Sequence, residues 1–110
     1  MTVTVFPLVQ AKYIEPTDTT QFIASTLTTI DAVTVTNTSS VNASLSINVV
    51  EGGVVVSGEN RAVDDRTLRP GESYPCPELV GQVLAVGDFI SAIASSANSL
   101  SIRISGKAIT

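Results

Sequence analysis

The chain has 110 residues, enough for one domain and too few for two of ordinary size. Hydrophobic residues make up 44% of it and charged residues 15%, so it is too apolar and too weakly charged to stay disordered. The absence of His and the single Cys exclude His-dependent triads, His-ligated metals and intrachain disulfides. We therefore expect a protein that is not an enzyme and that binds no cofactor or metal.

The charge and hydropathy pattern narrows the range of partners. Ten acidic against six basic residues give a net charge of −4 at pH 7, with no basic run suited to nucleic acid. The N-terminus alternates Thr and Val and has no charged segment followed by an apolar one, so we expect no secretory signal. Unbroken apolar runs reach three or four residues, far short of the roughly 20 of a membrane span. The pattern indicates a soluble chain without a membrane or nucleic-acid partner.

The composition favours strands, and the N-terminal segments fit them. Val, Ile and Thr together supply 37 residues, whereas Leu supplies 7. Residues 2–6 alternate polar and apolar side chains until Pro7 removes a backbone donor, which predicts an edge strand or an extended arm. A second extended segment at residues 12–14 ends at the turn residues 16–18.

The middle of the chain carries the clearest alternation. Residues 21–27 are predicted to direct Phe22, Ile23 and Leu27 towards the core. Residues 30–36 and 43–49 predict an antiparallel hairpin joined by the turn residues 37–40. In this hairpin the valines, leucine and isoleucine face inwards, while the Thr, Ser and Asn side chains face outwards.

The second half contains shorter pieces. The apolar residues 54–56 lie between Gly52-Gly53 and Gly58-Glu59-Asn60 and predict a strand that is buried on both faces or covered by a partner chain. Residues 61–68 predict a charged strand, and Arg69-Pro70-Gly71-Glu72 predicts a turn. Further extended segments are expected at residues 73–76, 79–84, 89–94 and 100–104. Residues 88–97 also carry a weak helix signal, but the β-branched Ile90 and Ile93 favour a strand.

These segments together predict an all-β fold of about eight or nine strands. An antiparallel β-sandwich, either jelly-roll or immunoglobulin-like, fits the spacing of about ten residues between turns. We divide the chain into an N-terminal strand or arm at residues 1–12 and a single sandwich domain at residues 13–110.

Candidate chemical groups are few. A hydrolase would need a carboxylate pair such as Asp64 and Glu72, but neither lies in a recognisable pocket-forming motif. Tyr74 and Asp88 are the side chains that a carbohydrate-binding or receptor-binding module would use, although aromatic residues are only 5% and are better explained as core residues. Cys76, with no His or Lys nearby in the sequence, is predicted to be a buried, inert thiol. No catalytic, cofactor-binding or metal-binding residue is assigned.

The outward positions of the best strands are Ser, Thr and Asn rather than Lys and Glu. A lone sandwich usually guards its sheets with charged side chains. Small uncharged side chains lose little entropy and little hydration free energy when another protein covers them. This pattern favours a protein that assembles with other proteins over a monomer.

Several segments resemble one family. These are the strand and turn of residues 33–39, Leu68-Arg69-Pro70-Gly71-Glu72-Ser73-Tyr74, residues 79–84 and 87–90, and Ile102-Arg103-Ile104-Ser105-Gly106. Together they are similar to small structural proteins encoded in the virion gene blocks of tailed bacteriophages. The resemblance covers roughly residues 13–110 and implies a non-enzymatic sandwich or jelly roll located in the virion and assembled in the cytoplasm of a bacterial host.

The resemblance also implies partners. The expected role is a capsid decoration (cement) protein that binds across joints between major capsid protein subunits; a neck, tail or fibre role is the alternative. The N-terminal segment is expected to add a strand to a neighbour, which makes an interface of five residues: Val3, Val5, Phe6, Leu8 and Val9. Because such shells offer threefold positions, a homo-oligomer, most simply a trimer, is expected.

Overall fold

A computed structural model describes all residues from 1 to 110. It contains nine strands and one short 3-10 helix at Gly58–Asn60. The strands are β1 (Val3–Tyr13), β2 (Thr19–Ile23), β3 (Leu27–Asn37), β4 (Ala43–Val50), β5 (Arg61–Leu68), β6 (Ser73–Tyr74), β7 (Val83–Leu84), β8 (Phe89–Ala94) and β9 (Leu100–Ile109).

The strands form two antiparallel sheets, which confirms the predicted all-β sandwich. Sheet 1 has the order β1-β9-β3-β6, with β7 also paired to β3, and sheet 2 has the order β2-β8-β4-β5. The pairing is nested: β1 pairs with β9, β2 with β8, β3 with β6 and β7, and β4 with β5. This nesting is the connectivity of a jelly roll rather than of an immunoglobulin-like sandwich.

The core lies between the sheets and follows the alternation of the sequence. On β3 and β9 the inward side chains are fully buried; Val35 and Ile104, for example, have no exposed surface. A single cluster of 22 buried side chains joins both sheets. Burial of this aliphatic surface contributes most of the folding free energy, since each fully buried Val, Leu or Ile contributes roughly 1.5–3 kcal/mol.

Strand β1 is longer than the alternation predicted, because it continues through Pro7 to Tyr13. Thr2 and Thr110 donate to each other's carbonyl oxygens, at 2.6 and 2.8 Å. In an antiparallel ladder the hydrogen-bonded positions alternate, so odd-numbered residues here direct their backbone groups away from β9. Pro7 stands at such a position, opposite Ser105, and its missing N–H leaves the ladder intact. Residues 1–12 therefore lie along the sandwich as part of its edge strand.

Three expectations about burial are wrong. Ile23 and Leu27, expected in the core, are 61% and 42% exposed; Ile23 is the last residue of β2, and Leu27 points to the outer face of sheet 1, opposite Ile109. Residues 54–56 form no strand, and Val55 is 76% exposed. Their backbone is held instead as a loop, with the Asn60 amide donating to the Val55 carbonyl at 2.9 Å.

The loop of residues 51–60 covers part of the outer face of sheet 2. The Asn48 amide donates to the Ser57 carbonyl at 2.8 Å and to Asn60 Oδ1 at 2.6 Å. Asn48, expected to be exposed, is therefore 1% exposed. Ser46 was also expected to be exposed but is 8% exposed, and its hydroxyl accepts the Asp65 N–H at 2.9 Å. The outer face of sheet 1 has no such cover.

The predicted hairpin of residues 30–36 and 43–49 is wrong: β3 lies in sheet 1 and β4 in sheet 2, so the connection between them crosses from one sheet to the other. The remaining expectations concern the C-terminal half. Residues 89–94 form strand β8, so the weak helix at residues 88–97 is absent. The predicted turn at residues 69–72 is present, with the Glu72 N–H donating to the Arg69 carbonyl at 3.0 Å. No helix with the length and hydropathy of a membrane span occurs in the structure.

Candidate protein-docking surface

Five apolar side chains lie together on the outer face of sheet 1. Cross-strand register places Val3 opposite Ile109 and Ile109 opposite Leu27. The next row runs from Val5 through Lys107 and Thr29 to Val83. Since directly opposed residues share a face of the sheet, these two rows form one surface. We call it the apolar strip: Val3, Val5, Leu27, Val83 and Ile109.

The apolar strip is open to solvent. Val3, Val5, Leu27 and Val83 are 51%, 70%, 42% and 58% exposed, and Ile109 is half-buried. Single exposed apolar residues are ordinary on protein surfaces, whereas a contiguous group of them marks an interaction site. Covering a half-exposed Val or Leu contributes about 1 kcal/mol to binding.

One ion pair crosses the apolar strip. Lys107 Nζ lies 3.2 Å from Asp31 Oδ2, and both side chains are partly exposed. Because the two charges compensate each other, a partner covering the strip would not have to neutralise either one.

The five residues expected at an interface differ in exposure: two are exposed, one is half-buried and two are buried. Val3 and Val5 belong to the apolar strip, whereas Leu8 and Val9 are 8% and 4% exposed and belong to the core. Phe6 is half-buried, with its ring 6.3 Å from that of Phe22. A partner could reach the first two side chains and the open part of Phe6, but not Leu8 or Val9.

Leu27, Val83 and Ile109 were missed by the sequence argument. They lie on three strands, β3, β7 and β9, that are far apart in the sequence. They meet only because β3 pairs with both β7 and β9. Local alternation shows on which face a side chain lies but not which strand stands beside it. A signal was present only in Val83, which is an apolar residue next to the buried Leu84.

Beyond the apolar strip, the outer face of sheet 1 carries mostly small polar side chains, with Tyr13 and Arg103 as the larger ones. Thr34, Thr36, Ser101 and Ser105 point outwards from β3 and β9. Arg103 is the one charged residue among them, and it takes part in no ion pair. Apart from Arg103, these outward positions of β3 and β9 are uncharged, as the sequence predicted.

Asp64 and Glu72, the candidate carboxylate pair, take part in separate structural contacts. An open groove of about 430 Å³ on sheet 2 is lined by Asp18, Asp64 and Asp65, among others. Asp64 pairs with Arg61 at 2.9 Å, and Glu72 accepts the backbone N–H of Arg69 at 2.8 Å. Asp64 and Glu72 thus hold different elements, a strand and a turn. No group of three or more Asp, Glu or Cys side chains is placed to hold a metal ion.

Tyr74 and Asp88 are occupied within the fold. Tyr74 is 7% exposed, its hydroxyl donates to Glu78 at 2.7 Å, and the Arg66 guanidinium lies 3.8 Å from the ring centroid. Burial, followed by the neighbouring Glu78 carboxylate, raises the pKa of Tyr74 to about 12. Asp88 accepts the backbone N–H groups of Gly52 and Ala85. Tyr74 is therefore too buried to stack on a sugar, and each Asp88 carboxylate oxygen already accepts one backbone N–H group.

Cys76 lies beside this cluster and has no exposed surface. Burial first, and the Glu78 charge second, raise the pKa of its thiol to about 12. A thiol of this pKa is almost wholly protonated near neutral pH and is a poor nucleophile. The hydrogen bond that the Tyr74 hydroxyl donates to Glu78 lowers the pKa of the Glu78 carboxylate. Glu78 therefore does not hold a proton for acid catalysis.

Comparison of the chain with protein-family models, with curated proteins and with solved structures found no match.

Proposed function

We propose that this chain is a non-enzymatic structural protein of a bacteriophage virion, and that it acts as a capsid decoration (cement) protein. The observation that carries the proposal is the apolar strip, on a sheet face whose other side chains are mostly small and polar. The resemblance of residues 13–110 to small phage virion proteins supplies the location. No chemical step is needed for such a role.

The proposed mechanism is the addition of buried surface. The apolar strip lies against major capsid protein subunits at a joint between them, and the Thr and Ser side chains beside it extend the contact. Each covered apolar side chain adds about 1 kcal/mol to the free energy needed to separate the subunits. A rigid sandwich suits this role because little conformational entropy is lost when it docks.

Several copies are proposed to act together as a homo-oligomer at the shell, for which a trimer remains the sequence-based expectation. A position in the neck, tail or fibres is the runner-up, because the same strip would serve any protein joint. Copy number separates these two roles: a shell protein is needed at many equivalent joints, and a neck or tail protein at few.

The test is binding to shells of the same phage assembled without this protein, measured by co-sedimentation. Val83→Lys places a charge in the apolar strip and is expected to weaken binding about tenfold or more. Val55→Lys makes the same change at an exposed valine in the loop on the other sheet. We expect this matched control to bind like the natural chain.

Two results would count against the proposal. In one, the natural chain does not bind the shells. In the other, Val83→Lys and Val55→Lys bind equally well, which would show that the apolar strip is not the contact.

A further inference from the structure

We propose that the open edge of β1 pairs with the β1 edge of a second copy of this chain, in antiparallel register about a twofold axis at Thr4. The inference rests on the backbone of residues 3–7 and does not depend on the proposed role in a virion. It departs from the trimer expected from the sequence, because edge pairing of this kind joins copies in twos.

The backbone groups that would form this contact follow from the pairing of β1 with β9. The reciprocal bonds between Thr2 and Thr110 are followed in register by Val3 opposite Ile109, Thr4 opposite Ala108 and Val5 opposite Lys107, without a shift before Pro7. Alternation in the ladder therefore turns the N–H and C=O groups of Val3 and Val5 to the open side. These groups form a short, regular template for another strand.

The other three sheet edges are protected, and β1 between residues 3 and 6 is not. β5 carries Asp64, Asp65 and Arg66 and is irregular at Asp65, which has a φ of 48°. β2 is five residues long and has a register shift within it. β6 and β7 have two residues each. Charges, bulges and short strands are the usual guards against edge pairing; residues 3–6 contain no charge and no bulge, and they belong to an 11-residue strand.

A second copy fits this edge because the segment is complementary to itself. With the axis at Thr4, Val3 of each copy stands opposite Val5 of the other, and each such pair exchanges both of its backbone hydrogen bonds. Valine then meets valine on the outer face, and Thr4 meets its own equivalent, a pairing that stabilises antiparallel sheets. No charged residue lies within residues 1–7, so no like charges are brought together.

Pro7 limits the pairing to this segment. It has no N–H to donate to the added strand, and the register of β1 on β9 shifts directly after it. The contact is therefore short, which predicts reversible, concentration-dependent dimers. It also places the apolar strips of the two copies next to each other, since Val3 and Val5 form the margin of each strip.

The test uses two substitutions at one position and sedimentation velocity over a range of concentrations. Val5→Pro removes an outward N–H at a position where, as at Pro7, no bond to β9 is lost. It is expected to weaken self-association about tenfold or more, since each dimer loses two hydrogen bonds. Val5→Thr keeps the N–H and the β-branched shape, and it should associate within about threefold of the natural chain.

Amide hydrogen exchange of the natural chain gives a second readout that needs no variant. The amides of Val3 and Val5 should exchange fast at low concentration and slowly at high concentration, whereas those of Thr4 and Phe6 should be protected at both. Val83→Lys should leave self-association unchanged, so a failure of shell binding and a failure of edge pairing are told apart.

The proposal is overturned by any of three results. The natural chain stays monomeric at millimolar concentration with concentration-independent exchange at Val3 and Val5. Alternatively, an oligomer forms that a folded Val5→Pro chain forms equally well. In the third case, Val5→Pro and Val5→Thr weaken association equally, which would assign the contact to the side chain instead of the strand edge.

Discussion

Gly106 sets how closely the two central strands of sheet 1 approach. It stands opposite Phe6 on one side and Ile30 on the other. A Cβ built on it would overlap the carbonyl oxygen of Thr29 and press on Leu8. The obstacle is backbone rather than a flexible side chain, so the strands would have to separate.

Gly106→Ala should therefore destabilise the fold by roughly 3 kcal/mol, at the upper end of the cost of overpacking. The measurement is the urea unfolding midpoint of the purified chain. Gly58→Ala is the matched control, because no atom lies within 4 Å of the added Cβ. Equal stability of the two variants would contradict the close approach of β3 and β9.

Asn37 shows how far a single residue can be interpreted from sequence. The turn at residues 37–40 was predicted from its polar side chains, and Asn37 indeed accepts from the Ser39 N–H at 2.9 Å. Its amide also donates to the Leu68 carbonyl at 2.9 Å, on a strand of the other sheet. The local contact was visible in the sequence, whereas the distant one depends on the folded chain.

At the scale of elements, the connection from β1 to β2 is held by a charged cluster. Lys12 Nζ lies 2.7 Å from Glu15, and the Gln21 amide donates to the same carboxylate at 3.0 Å. The hydrogen bond from Gln21 first, and that from Lys12 second, lower the pKa of Glu15 to about 2 from 4.5. The folded state thus favours the ionised form.

This cluster predicts a dependence of stability on pH. Its contribution is fully present above about pH 4.5 and is lost as the pH falls towards 2, because folding must then give up the ionised carboxylate. The Glu15 side chain is 37% exposed, so solvent screening limits the effect to about 1 kcal/mol or less. Glu15→Gln should reduce the loss of unfolding free energy between pH 5 and pH 2.

Denaturant unfolding at several pH values measures this effect. Glu59→Gln is the control, since Glu59 forms no ion pair or side-chain hydrogen bond in the structure. Identical pH profiles for Glu15→Gln and the natural chain would show that the cluster does not stabilise the fold.

Strands were predicted best where one face is buried and the other is not. The alternating segments 30–36 and 100–104 lie within β3 and β9, where burial of every second side chain is recorded directly in the sequence. The strand predicted at residues 54–56 was wrong because an all-apolar run has no period. The Asn60 amide, which donates to the Val55 carbonyl, holds this segment as a loop. The continuation of β1 through Pro7 was not predicted. A proline is tolerated there only because the side of the strand that lacks its N–H faces away from β9, and the sequence does not show which side faces β9.

At the scale of the whole molecule, the sandwich was predictable and the docking surface only partly so. Composition and turn spacing indicated two antiparallel sheets, while the jelly-roll order required the pairing of strands far apart in sequence. Val3 and Val5 were identified from alternation at the N-terminus. Their neighbours Leu27 and Ile109 join them only through register across β9.

The proposed role of this sandwich is that of a structural component of a phage shell. Quantitative mass spectrometry of purified particles of the phage proposed to encode the chain tests this role most directly, with the major capsid protein as the internal reference. We expect hundreds of copies per particle, in fixed proportion to the capsid protein. Its absence from purified particles would contradict the account.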